Sequence, residues 1–371
     1  MAAEPTPHGL GLGLGRNLGR AWSAEDDQDL VCIDVRQETH DVRTFTFRAL
    51  EDRHFVFRPG QHFRFEIDLG GEVLSRCYSM SSSALAPRTV SVTVKRVEGG
   101  RVSNWLHDHL TPGQRLRAFG PSGDFTLPAE DEHEPLLMLS GGSGITPLMS
   151  MLRTLGDARR HPDLIFLHAG RTPDDLIFRD ELLFRARMTP QLKVVFLPER
   201  PAAVVGHAGI TGRISSGLLQ ALVPDLARRR VLCCGPAPFM AAARALCTAL
   251  GVPAECYAEE SFTGEAPAPE VPQAPGAAPT AADAAVFLLT FARQAREVEA
   301  RADQTVLAAA RQAGVSLPSS CGNGLCGTCK TRLVSGQVDM QHIGGIRQRE
   351  VQAGFFLPCC SRPRSDLVIE R

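Results

Sequence analysis

Apolar and polar residues alternate in short runs through the first part of the chain. Residues 30–36, 43–48, 61–67 and 90–96 follow this rhythm, and Pro59-Gly60, Gly70-Gly71 and Gly99-Gly100 punctuate it. A period of two between turn residues predicts an antiparallel barrel or sandwich. Near residue 130 the pattern changes. Continuous apolar runs at 136–139, 164–168, 192–197 and 231–233 alternate with helical stretches at 146–156, 174–187, 215–222 and 236–249. That alternation predicts a parallel α/β sheet. Residues 263–283, TGEAPAPEVPQAPGAAPTAAD, have little apolar surface to bury and read as an extended spacer. Beyond it come two strands at 285–291 and 296–301 and a helix at 305–313. No internal repeat interrupts this order.

The expected division is therefore a disordered tail at 1–24, a β-barrel at 25–130 and an α/β domain at 131–262. A linker at 263–283 and a tail module at 284–371 complete it. The length, 371 residues, suits this count of domains. Hydrophobic residues make up 43%, which excludes a wholly disordered chain. Net charge is −1, so composition carries no signal for nucleic acid. The charge is uneven, however. Residues 284–371 hold 11 Lys and Arg against 7 acids (+4), and the rest holds 29 against 34 (−5). A basic tail module suits an acidic partner surface. No apolar run reaches the ~18 residues of a membrane span. Residues 1–24 lack the basic start and apolar stretch of a secretory signal. The cytosol is the expected compartment.

Eleven cysteines is an odd count, and five crowd the end of the chain. The run Cys321-Gly322-Asn323-Gly324-Leu325-Cys326-Gly327-Thr328-Cys329 has the spacing C-x4-C-x2-C, and Cys359 follows after 29 residues. This is the plant-type [2Fe–2S] ligand pattern. Structural zinc favours two short pairs instead. Gly322, Gly324 and Gly327 let a tight loop wrap a cluster and aim N–H groups at its sulfides. Cys359 and Cys360 are adjacent candidates for the fourth ligand. The segment resembles β-grasp ferredoxins, whose L-x-C arrangement matches Leu357-Pro358-Cys359 and so selects Cys359 with Cys321, Cys326 and Cys329.

Two more motifs lie upstream. Arg76-Cys77-Tyr78-Ser79-Met80-Ser81-Ser82 contains one of only two tyrosines. An arginine can pair with a phosphate group, an aromatic ring can lie on a planar ligand, and a serine can hydrogen-bond to its edge. The run resembles the R-x-Y-S-x-S-S signature of ferredoxin–NADP reductase-like flavoproteins. The resemblance assigns Arg76, Tyr78 and Ser79 to flavin, with Tyr78 and Ser79 at the reacting edge. It also places Val94 and Lys95 on a strand beside the ring. Gly100, Val102, Ser103 and Asn104 fall in the family's G-x-x-S-N loop, with Ser103 as a helix cap near phosphate. Spacing does not separate FAD from FMN; the family's habit favours FAD.

In the α/β part, Gly141-Gly142-Ser143-Gly144-Ile145-Thr146-Pro147 follows a strand and opens a helix, with Thr146 expected as cap and Pro147 in first position. The Rossmann G-x-G-x-x-G is absent. The run resembles the same family's G-G-x-G-I-T-P turn, and Cys234-Gly235-Pro236-Ala237-Pro238-Phe239-Met240 resembles its C-G-P-x-P-F-M segment. These imply nicotinamide contacts from Gly142, Gly144, Thr146, Cys234, Gly235 and Pro236, with Cys234 beside the reacting ring. Arg171, after the second strand, can meet a 2′-phosphate, but Asp174, Asp175 and Glu181 follow it; NADH is favoured and NADPH stays open. Glu259-Glu260-Ser261-Phe262 ends this part, where the family puts an acid and an aromatic by the flavin, and Phe262 can cover the ring.

The order flavin, nicotinamide, ferredoxin resembles the reductase subunits of Rieske-type oxygenases, such as glycine betaine and carnitine demethylating systems. The hybrid-cluster protein reductase is similar. The resemblance implies an NAD(P)H oxidoreductase that passes electrons through FAD and a [2Fe–2S] cluster to a terminal oxygenase or another acceptor protein. A redox sensor whose cluster switches partner binding is the contrasting class.

Overall fold

The computed structural model describes residues 19–22, 26–127, 134–201, 209–262, 285–315, 317, 322, 324, 327, 329–342, 345–346 and 348–371. The expected tail to residue 18 and the spacer 263–283 lie outside these residues, as do Cys321 and Cys326.

The first unit contains β1 (Arg20–Trp22), β2 (Asp29–Thr39), β3 (Val42–Ala49), β4 (Arg53–Phe55), β5 (His62–Asp68), β6 (Val73–Ser79), β7 (Val90–Lys95), α1 (Arg101–His109) and β8 (Arg115–Ser122). Six strands form one antiparallel sheet in the order β6-β5-β8-β2-β3-β7. The sheet curls until its two edges meet at a single bridge, Met80 to Val92. It is thus a barrel rather than a sandwich. Its filling is aromatic: Trp22, Phe45, Phe47, Phe63 and Phe65 are all buried. Alternation in β5 sends Phe63 and Phe65 inward and Arg64 outward. β6 and β8 add to the runs read from the sequence, and the exposed–buried alternation of Arg115-Leu116-Arg117-Ala118 is that of a strand.

The second unit contains β9 (Leu136–Gly141), α2 (Ile145–Asp157), β10 (Leu164–Gly170), α3 (Arg179–Met188), β11 (Leu192–Pro198), α4 (Ser216–Leu222), β12 (Arg230–Cys234), α5 (Ala237–Ala249) and β13 (Tyr257–Glu260). Its sheet is wholly parallel, in the order β11-β10-β9-β12-β13. Both faces are covered, which explains the continuous apolar runs. Phe166, Leu148 and Leu182 fill one side, and Leu167, Val195 and Leu219 the other. The helix expected at 174–187 is divided. A 3-10 turn spans Pro173–Asp175 and α3 starts only at Arg179. The capping box of Thr172 and Asp175 closes the short turn, and Phe178 at φ 58° breaks the path between the two.

Strand order reverses beside β9, so the crevice at its C-terminal end and that of β12 is the topological switch point. Two glycine turns meet there backbone to backbone. A Cβ on Gly144 would lie 2.3 Å from the Cys234 carbonyl oxygen, and one on Gly235 would lie 3.0 Å from the Gly141 nitrogen. This contact joins the two motifs 90 residues apart.

The barrel and the α/β unit are stitched by α2. Ser150 donates to the Ser82 carbonyl (2.7 Å), Arg153 donates to the Ser81 carbonyl (2.6 Å), and the Ala84 N–H donates to Thr154 (2.9 Å). Burial pushes the Glu181 carboxyl up, but Arg153 and Arg185 outweigh it and hold it near 2.

The third unit contains β14 (Val286–Phe291), β15 (Arg296–Arg301), α6 (Val306–Gln312), β16 (Thr331–Ser335), β17 (Val338–Met340), α7 (Gln348–Gln352), β18 (Phe355–Phe356), β19 (Ser361–Pro363) and β20 (Leu367–Ile369). A mixed sheet, β15-β14-β20-β16-β18, packs under α6. Thr305 caps α6 by accepting from the Ala308 N–H at 3.2 Å. No described helix is long and apolar enough to cross a membrane.

The glycine contact makes a prediction. Gly144→Ala should destabilise the protein by about 1–3 kcal/mol through overpacking against rigid backbone. Gly142→Ala meets nothing within 4 Å and carries only the strain of φ 52°, about 1–2 kcal/mol. Thermal melts should show a midpoint for Gly144→Ala several degrees below that of the unsubstituted protein; an unchanged midpoint would contradict the packing argument.

Candidate functional site

Edge strands β6 and β7 part beyond the Met80–Val92 bridge, and the seam between them is a cleft of about 290 Å³. Arg76, Cys77, Tyr78 and Ser79 line it from β6, and Thr93, Val94 and Lys95 from β7. Unpaired strand edges offer backbone N–H and C=O groups to whatever enters. At one end stand Gly100, Arg101, Val102 and Ser103, the start of α1. No side chain caps that helix, so its first N–H groups open onto the cleft beside Arg76 and Lys95, a chemistry suited to phosphate. The α/β unit contributes Ser143 and Thr146, and Phe262 completes the wall. A planar group with an anionic tail fits this lining, with Tyr78 supplying the aromatic wall.

Two expected caps are placed differently. Gly100, not Ser103, holds the N-cap position of α1; the Ser103 hydroxyl accepts from the Val97 N–H (3.2 Å) and so fastens the preceding turn. Gly144, not Thr146, precedes α2, because a 3-10 turn at Gly142–Gly144 runs straight into it. Thr146 is the second helical residue and donates to the Ser143 carbonyl (2.7 Å), and Pro147 is the third rather than the first.

Of the residues expected to bind cofactor, Arg76, Tyr78, Ser79, Val94, Lys95, Gly100, Val102, Ser103, Thr146 and Phe262 share the cleft. Asn104, Gly142, Gly144, Arg171, Cys234, Gly235 and Pro236 are not on its wall. Gly142 lies in open space at the switch point. Gly144 and Gly235 serve the backbone contact described above. Cys234 is fully buried behind it, and burial pushes its thiol well up, so it stays a protonated thiol. Arg171 is paired with Asp175 (3.0 Å) and approaches Asp41 (3.4 Å). Asp41 also holds Lys95 at 2.5 Å. Burial pushes the Asp41 carboxyl up, but Lys95 outweighs it and keeps it ionised.

Sequence reasoning missed the partner of Ser79. Its hydroxyl donates to Glu260 Oε2 at 3.4 Å, across 181 residues. Burial raises the Glu260 carboxyl to about 8, against the pull of the Ser79 bond. His62 Nδ1 stands 4.0 Å from the other oxygen, and burial lowers that imidazole to about 4. At neutral pH both groups are therefore largely uncharged, and the contact is not an ion pair. The sequence marks Glu260 as an acid two residues before Phe262, but not Ser79 and His62 as its neighbours. Deeper in the α/β unit, His168 Nδ1 meets Ser140 (2.8 Å) and burial keeps the ring neutral.

In the third unit Cys329 and Cys359 are buried with their sulfurs 3.2 Å apart. Gly322, Gly324 and Gly327 all have positive φ, between 67° and 78°. The Cys360 sulfur also lies against this loop, 2.7 Å from where a Cβ on Gly324 would stand, and donates weakly to the Leu357 carbonyl (3.6 Å). Converging thiols on a left-handed glycine loop fit an iron–sulfur cluster.

Known proteins share this arrangement. Three family models match: "Oxidoreductase FAD-binding domain" at residues 29–127, "Oxidoreductase NAD-binding domain" at 138–245 and "2Fe-2S iron-sulfur cluster binding domain" at 289–364. The chain is 40% identical to the glycine betaine monooxygenase reductase subunit of Chromohalobacter salexigens, covering 91% of this chain and 94% of that protein. It is 35% identical to the stachydrine N-demethylase reductase subunit of Rhizobium meliloti, covering 94% and 97%. Among solved structures, phthalate dioxygenase reductase matches with a TM-score of 0.56 at 24% identity, covering 93% of this chain and 98% of that one, a likeness of fold. The chain belongs to the family of NAD-dependent iron–sulfur flavoprotein reductases that join an FAD domain, an NAD domain and a [2Fe–2S] ferredoxin domain in that order.

Proposed function

We propose that this chain is the reductase component of a two-component, Rieske-type oxygenase that demethylates glycine betaine or a similar quaternary amine. The observation that carries the reading is the shared cleft: β6, β7 and the start of α1 line it together with Ser143 and Thr146 of the nicotinamide turn. When bound, FAD takes the two electrons of a hydride and releases them singly to a [2Fe–2S] cluster.

The chain's own residues divide the remaining work. Arg76 and the first N–H groups of α1 hold the pyrophosphate. Tyr78 forms one wall for the ring, and Phe262, 48% exposed, is free to cover the other and to withdraw for nicotinamide. Gly142, Ser143 and Thr146 receive the nicotinamide nucleotide, and Cys234 packs behind them. Arg171 already has two carboxylate neighbours, so a 2′-phosphate gains little there, which supports NADH. Cys321, Cys326, Cys329 and Cys359 hold the cluster. Free thiols of this number suit the cytosol.

Glu260 sets the charge beside Ser79. Below about pH 8 it is protonated, and no negative charge opposes the incoming hydride; above that pH it ionises. Stopped-flow reduction by NADH should therefore slow as pH rises through about 8. Glu260→Gln should flatten that limb, and a limb that persists in this variant would remove Glu260 from the account.

Cys359→Ser should abolish the iron–sulfur shoulder of the visible spectrum, whereas Cys360→Ser should retain it with full iron content. The reverse pattern would move the fourth ligand to Cys360.

The function itself is tested by reconstitution. The purified protein should show flavin bands with an iron–sulfur shoulder, and NADH should bleach both within seconds. With a glycine betaine-specific terminal oxygenase added, NADH oxidation should couple to formaldehyde release. A bound flavin that NADH cannot reduce would sink the proposal and favour a sensor.

A further inference from the structure

Arg64 is a cation placed between the two cofactor sites. It leaves β5 on the outer face of the barrel, opposite Cys77 in the β5–β6 register, and Cys77 is part of the flavin cleft. Arg64 is only 7% exposed. Its Nη1 donates to Glu66 (2.7 Å) and to Ser75 (3.1 Å), and its guanidinium lies over the Phe119 ring at 3.9 Å. These contacts fix the planar group in one orientation.

Above it lies the cluster loop. A Cβ on Gly327 would stand 3.6 Å from both Cδ and Nη1 of Arg64, so the side chain faces the loop backbone across about the width of one methyl group. Gly327 falls between the proposed ligands Cys326 and Cys329. The ferredoxin unit touches the same face once more, where Arg349 of α7 pairs with Asp27, which Arg117 also approaches at 3.5 Å. A second contact with opposite charges gives the docking an orientation.

We propose that Arg64 is a positioning residue that seats the cluster loop on the flavin sheet and favours the reduced cluster. Each passage oxidises the reduced flavin by one electron and reduces the oxidised cluster by one; no bond forms or breaks at Arg64. Reduction adds a negative charge to the cluster. A buried cation stabilises such a charge more than an exposed one would, and the Glu66 carboxylate on Nη1 offsets part of this. The inference rests on the ferredoxin reading above; iron content and the visible spectrum separate a failure of that reading from a failure of this one.

The test uses the holoenzyme with Arg64→Gln and Arg64→Lys. NADH–ferricyanide activity, which draws on the flavin, should stay at the wild-type level. Flavin-to-cluster transfer, followed by stopped-flow, should slow by about tenfold in Arg64→Gln, the scale of a lost charged contact, and recover in part in Arg64→Lys. The cluster midpoint potential, from an EPR-monitored titration, should move negative in Arg64→Gln and stay closer to wild type in Arg64→Lys. Wild-type transfer rate and potential in Arg64→Gln would overturn the proposal. So would loss of flavin from both variants, since Arg64 would then be a structural member of the barrel.

Discussion

Six strands curl into a barrel, yet the two edge strands are joined only around Met80, Val92, Ser81 and Ser91. Beyond that point β6 and β7 have no ladder partner in one another, and their polar backbone faces a cleft rather than a neighbour. Edges of this kind usually invite aggregation. Here the opening is lined by the arginine, tyrosine and serine of one strand and the valine and lysine of the other. Full closure of the barrel would remove the site. The α/β unit is positioned by the same constraint, because Ser81 and Ser82, just past the bridge, supply the carbonyls that α2 binds.

The register of β5 against β6 divides two tasks. Phe63 and Phe65 lie inside with Tyr78 and Arg76 opposite them, and Arg64 lies outside with Cys77 opposite. Strand alternation is strict, so a slip of one residue would exchange the faces and bury the arginine among the phenylalanines. The aromatic core holds the register, and the outer face is then available to the ferredoxin unit.

Much of this architecture is legible in the sequence. Period-two runs gave way to continuous apolar runs, and the observed antiparallel and parallel sheets follow that change. The glycine-rich turn and Cys234-Gly235-Pro236 were readable as a pair, but their purpose was not: backbone contact between Gly144 and Cys234 depends on strand order. Glu260 and Ser79 are likewise brought together only by packing of two units. The helix boundary at Arg179 turns on one left-handed residue, Phe178, which no apolar period marks. The start of α2 differs for a related reason: the 3-10 turn at Gly142–Gly144 runs into the helix, so Gly144 is its cap and Thr146 lies inside it.

Phe262 lines the cleft and is also the residue before the 21-residue Ala/Pro stretch at 263–283. The flavin and ferredoxin units belong to one polypeptide, so exchange between them is intramolecular. Delivery of electrons to the ferredoxin unit is therefore first order and insensitive to dilution of the protein. Delivery onward to a separate acceptor is second order, so dilution slows the outer exchange and leaves the inner one untouched.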